Sequence, residues 1–88
     1  LPYSLRQLQY LVAVADLGGF RRAADACGVA QPSLSAQVAQ LEAALGFQVF
    51  ERHTRGVRVT RAGAPIIDRA RALAAAPVSA QRAAADVP

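Results

Sequence analysis

Arg52, Arg55, Arg58 and Arg61 recur every third residue, with His53 among them, and form the densest cluster of chemically capable side chains in the chain. A guanidinium is a permanently charged planar fork that matches phosphate and guanine edges, so this spacing offers polyanion binding. A second group lies upstream, Gln31-Pro32-Ser33-Leu34-Ser35, with Ala36 and Gln40 beyond it. Gln31 can pair its amide with a base edge, best with adenine, or stand as an exposed polar residue at a helix start. Pro32 can pack on a thymine methyl and start the helix; the two roles are compatible. Ser33 and Ser35 can bond phosphate or base, or the local backbone. Gln40 suits a base or phosphate contact, whereas Ala36 offers only an apolar one. Arg52 opens the basic run and meets phosphate unless Glu51 or Glu42 pairs with it. Arg55 and Arg58 extend that contact or form a solvated charge run. His53 touches phosphate or is simply exposed. Arg22, with Arg21, would hold flanking backbone from the start of another helix.

Other chemistries find little support. His53 is the only histidine and lacks a partner carboxylate pattern or a nucleophile motif, and the chain has no glycine-rich phosphate loop and no metal-ligand spacing. Its one cysteine, Cys27, excludes an internal disulfide framework and a four-cysteine zinc site, and reads as a small buried apolar residue. The expectation is therefore no enzyme, no cofactor and no metal. Without a signal peptide or a long apolar run, the expected location is cytoplasmic, with no membrane partner, and a DNA-binding role would make the chain nucleoid-associated. The 88 residues fit one small domain, 53% hydrophobic, but much of that is alanine, which favours helix and adds little core volume. Dimerisation would help such a core. The net charge is +4 and all ten basic residues are arginine. Clustering separates a binding role from mere composition, because Ala23 to Glu51 holds no arginine. Leu1 stands where an initiator methionine would, so a fragment of a longer protein is expected.

These groups need elements to hold them. Ser4 is a natural N-cap for a first helix with apolar residues at 5, 8, 11, 12 and 15, ended by Gly18-Gly19. A second helix runs from Phe20 to about Ala26, with Ala23 and Ala24 small enough for close helix contact, and Gly28 stops it. A third starts near Gln31-Pro32 and runs to about Leu45, where Gly46 ends it. Leu34, Val38, Leu41 and Leu45 form its buried stripe; Pro32, Ala36, Ala39, Gln40 and Ala43 face out. Phe47 to Phe50 and Val57 to Val59 read as two strands around a turn at His53-Thr54-Arg55-Gly56. Thr60 can cap a fourth helix whose apolar face comprises Ile66, Ile67, Ala70, Leu73 and Ala74. That face must bury itself on its own domain or on a second copy. Pro77 should break or kink this helix. The predicted architecture is mainly α with a small β-hairpin. It is a winged helix-turn-helix over residues 1–60, a linker helix for dimerisation over 61–76, and a tail of uncertain order over 77–88. A helix-turn-helix of this kind sets one helix in the DNA major groove.

The residues also resemble the N-terminal DNA-binding domain of LysR-type transcriptional regulators. The matching elements begin with Leu5-Arg6-Gln7-Leu8-Gln9-Tyr10, then Phe20, Ala23 and Ala24, and Val29. They continue with Gln31-Pro32-Ser33-Leu34-Ser35, Gln37 and Leu41-Glu42, then Leu45-Gly46, Phe50-Glu51-Arg52, Val57, Val59-Thr60 and Ala62-Gly63. Ala26-Cys27 and Arg69-Ala70-Arg71 are faintly similar to the OxyR branch. The resemblance implies a bacterial regulator that binds double-stranded DNA as a homodimer through the linker helix, or as a tetramer in a full-length protein. It also implies a small-molecule effector sensed only by a C-terminal domain absent here. Departures from the family pattern are Gly19 and Ala30, where serine is usual, Ala36, where arginine is common, and Ala39 and Gln40, where basic residues are common. They imply an unusually uncharged recognition helix, with phosphate affinity shifted onto the wing. The rival expectation is a winged-helix interaction and dimerisation module with weak or no specific DNA binding.

Overall fold

A computed structural model describes residues 3–75 of the 88. In chain order it contains α1 (Leu5–Leu17), α2 (Phe20–Cys27), α3 (Gln31–Leu45), β1 (Phe50–His53), β2 (Gly56–Val59) and α4 (Ala64–Ala75). The expected bend at Pro77 and the tail beyond it lie outside the described residues.

α1 begins in a reciprocal capping box, with Ser4 as N-cap and Gln7 returning a side-chain bond to the Ser4 backbone. The N-cap positions of α2 and α3 are Gly19 and Ala30, and neither helix has a side-chain cap. Both are positions where the resemblance leads one to expect serine. α1, α2 and α3 each end at a glycine in the left-handed region, Gly18, Gly28 and Gly46.

α1 packs against α2, α3, α4 and β2 and is the hub of the fold. Leu11 and Val14 of α1, Ala23 and Ala24 of α2, and Leu34, Val38 and Leu41 of α3 are buried together with Val49. The predicted α3 stripe thus holds, with Leu45 only partly buried. α4 lies on α1 of its own chain, where Ile67 and Ala70 are buried and Arg71 pairs with Asp16 at 2.7 Å.

The hairpin turns where expected, at His53-Thr54-Arg55-Gly56, but its first strand differs in extent. The first strand is Phe50–His53 rather than Phe47 to Phe50, and the loop is only Thr54-Arg55, closed by the His53↔Gly56 pair. The reason is Glu42. Its Oε2 accepts the N–H groups of Val49 at 2.7 Å and Phe50 at 3.2 Å, so the approach to the strand is held by α3. Thr60 closes the hairpin: its N–H donates to the Val49 carbonyl at 2.8 Å and its hydroxyl to the Gln48 carbonyl at 2.7 Å. The same hydroxyl accepts the Gly63 N–H at 2.9 Å, so Thr60 caps the turn that leads into α4.

Cys27 corrects another expectation. It is exposed, not buried. Its direction on the helical wheel falls between those of Ala23 and Ala24, but it is the last residue of α2. Burial requires neighbours at the same height along the helix axis as well as on the right side.

Candidate DNA interface

The outward side of α3 carries Gln31, Pro32, Ser33, Ala36, Ala39, Gln40 and Ala43, all exposed, while Ser35 is half-buried. Within the first turns, Gln31 Nε2 donates to Ser35 Oγ at 3.1 Å. That bond occupies one of the two amide hydrogens of Gln31 and leaves its carbonyl oxygen for a partner. Further along, the side chains of Gln37 and Gln40 accept from Gln7 of α1. This outward surface carries no formal charge, in keeping with the sequence.

Charge sits in the wing and at the start of α2. The Arg52 guanidinium lies 4.1 Å from the centroid of the Phe20 ring, which meets Phe50 edge-on with ring centroids 5.8 Å apart. A cation over an aromatic face is attracted by the ring quadrupole, so Phe20 gives Arg52 a fixed seat at the base of the wing. Neither Glu51 nor Glu42 holds it: Glu42 binds backbone, and Glu51 Oε2 pairs with Arg58 at 2.7 Å across the strands. Both members of that pair are well exposed, 74% for Arg58 and 53% for Glu51. Arg55 occupies the exposed two-residue tip, where its backbone N–H donates to His53 Nδ1 at 3.3 Å. His53 and Arg61 are exposed as well.

The wing is fastened to the helix-turn-helix by backbone. Val57 N–H donates to the Gly18 carbonyl at 3.2 Å. At Gly56 the backbone has φ +134°, and a Cβ there would collide with that same Gly18 carbonyl oxygen. Arg22, exposed at the start of α2, holds its guanidinium beside the Gly18-Gly19 turn. The predicted residues therefore fall into two groups. Arg22, Arg52, Arg55 and Arg58 gather around the α1–α2 turn and the wing; Gln31, Pro32, Ser33, Ser35, Ala36 and Gln40 follow α3. Among the described residues, no hydrogen bond or ion pair joins the outward side chains of α3 to the wing arginines.

Two residues outside the expected set bear on this surface. Phe20 was expected to fill core, and it does, but its ring also seats Arg52. No spacing rule reports such a contact between distant segments. Gln7 stands in the sequence only as part of the first-helix motif. The spacing Ser4-Leu5-Arg6-Gln7 is itself a capping-box signal and could have singled it out.

A family model described as "Bacterial regulatory helix-turn-helix protein, lysR family" matches residues 5–64. The chain belongs to the LysR family. Over 68 residues it is 50% identical to the DNA-binding transcriptional dual regulator OxyR of Escherichia coli (strain K12), a match covering 77% of this chain and 22% of OxyR. It thus spans about a fifth of that relative's length. Its structure resembles the crystal structure of the CbnR_DBD–DNA complex, with TM-score 0.79 and 38% identity over 97% of this chain and 99% of that one. The BenM_DBD/catB site 1 DNA complex is also similar, with TM-score 0.76 and 43% identity over 80% of this chain and 79% of that one. This is a winged helix-turn-helix DNA-binding domain of the LysR family, and its relatives are transcriptional regulators. No described helix is long and apolar enough to cross a membrane.

Proposed function

We propose that this domain reads an inverted-repeat operator as a homodimer, with one α3 in each of two major grooves and each wing on the adjacent backbone or minor groove. The observation that carries the reading is the pairing of an exposed, amide- and hydroxyl-bearing start of α3 with a basic wing fastened to the α1–α2 turn. Gln31 reads a base edge, Pro32 and Ala36 make apolar contacts, and Ser33, Ser35 and Gln40 bond phosphate or base. Arg22, Arg52, Arg55 and Arg58 hold backbone. In this division of labour α3 supplies selectivity and the wing supplies most of the ionic affinity.

Residues 1–60 would form the reading head, and the helix beyond them the dimer contact. Ile66 is partly buried and Leu73 is 38% exposed, and both line an apolar groove with Leu8, Leu41, Leu45 and Ala70 that a second copy could cover. In a longer protein the domain would serve a cytoplasmic, non-enzymatic regulator whose effector is sensed elsewhere, assembled as a dimer or tetramer.

The test is a salt titration of affinity for random duplex and for duplex selected from a random pool. Steep salt dependence with selected DNA bound at least ~10³-fold tighter is expected. A steep slope without enrichment would confine binding to the wing. No binding at low salt would favour the interaction-module alternative.

A further inference from the structure

Gln7 is the one buried polar side chain among the described residues, 7% exposed. Its Oε1 accepts the Ser4 backbone N–H at 2.8 Å. A backbone N–H can only donate, so this bond sets the sense of the amide: oxygen toward Ser4, nitrogen toward α3. Nε2 then donates to Gln37 Oε1 at 3.1 Å and Gln40 Oε1 at 3.4 Å, which uses both amide hydrogens. Gln37 and Gln40 must each turn an oxygen inward, and their NH₂ groups are left for the outside.

We propose that Gln7 is a positioning residue that sets the hydrogen-bond polarity of the recognition helix, so that Gln40, with Gln37 beside it, presents amide donors to acceptor atoms of DNA. This rests on the DNA-facing role proposed above for Gln40. The acceptors are phosphate oxygens or the acceptor edges of guanine and thymine. An amide held this way is poorly suited to the bidentate contact with adenine, which needs a free carbonyl as well as a donor. The arrangement matters in this chain because α3 has no arginine or lysine to supply donors.

Gln7→Glu tests it. Glutamate has nearly the same shape and can keep the capping box, because its carboxylate accepts the same Ser4 N–H. It replaces two donors by acceptors, so Gln37 and Gln40 must turn their NH₂ groups inward and their oxygens toward DNA. Affinity for selected and random duplex would be measured for Q7E in the native background and in one carrying Gln37→Ala and Gln40→Ala, with thermal melting as the folding control. The expected result is a loss of about three- to tenfold in the native background. In the doubly substituted background only a residual effect of the added charge should remain. An equal loss on both duplexes assigns the acceptors to phosphate, and a loss confined to selected DNA assigns them to bases; either supports the proposal. Native-like binding by Q7E, or the same loss in both backgrounds, overturns it while leaving the DNA-reading function standing. Failure of the native domain to bind either duplex would overturn both. Should Q7E be unfolded at the assay temperature, Gln40→Met must by itself weaken binding by a similar factor, and unchanged binding would overturn the proposal.

Discussion

Arg55 and Arg58 have the same chemistry and lie three residues apart, yet their surroundings give them different weight. Arg58 already has a carboxylate partner 2.7 Å away, whereas Arg55 stands at the tip of the hairpin. Replacing Arg55 by alanine should lower the salt dependence of binding by about one phosphate contact on every sequence. Arg58→Ala should lower it by less, because its charge is already partly balanced by Glu51. Salt titrations of the two variants would check this, and equal slopes would contradict it. Gln31 belongs to the same scale. Its loss should cost about 1–3 kcal/mol at one base position and relax preference there. If Gln31→Ala weakened selected and random DNA equally, the base-reading role would be wrong.

At the scale of elements, close approaches decide what can be changed. A Cβ at Gly63 would lie 2.7–2.8 Å from backbone and side-chain atoms of Val49, which is itself fully buried. Gly63→Ala should therefore destabilise the domain by about 1–3 kcal/mol through forced movement of the segment between α3 and the wing. Thermal or urea unfolding would measure it, and native stability would show that the segment yields freely. The hairpin belongs here too. Alternating residues make its existence and its turn legible, but the first strand lies at Phe50–His53 rather than Phe47 to Phe50. Strand propensity in Phe47–Phe50 competes with Glu42, whose carboxylate binds the Val49 and Phe50 N–H groups from another helix. A contact spanning seven or eight residues leaves no periodic trace in the chain.

For the whole molecule, the proposed dimer turns on how α4 uses its apolar face. α4 spends Ile67 and Ala70 on its own α1 and leaves Leu73 partly exposed beside the apolar groove. Leu73→Asp should disrupt the proposed dimer while sparing the monomer fold. The expected outcome is a halved mass in sedimentation and affinity for a full inverted repeat reduced to that for a half-site. An unchanged sedimentation profile would exclude this face as the contact.

Helix positions, the buried stripe of α3, the glycine stops and the basic wing were all legible in the residues. Each depends on interactions within a few residues, and local chemistry has a local signature. The capping box of Ser4 and Gln7 was equally local and could have been read. Tertiary structure alone decided that Arg52 rests on Phe20, that Arg58 is matched by Glu51, and that Cys27 is exposed. It also decided that the wing is tied to Gly18 and that Gln7 reaches Gln37 and Gln40 across helices. These outcomes depend on where distant segments lie once the core closes. The sequence specifies them only through the fold, so no spacing along the chain announces them.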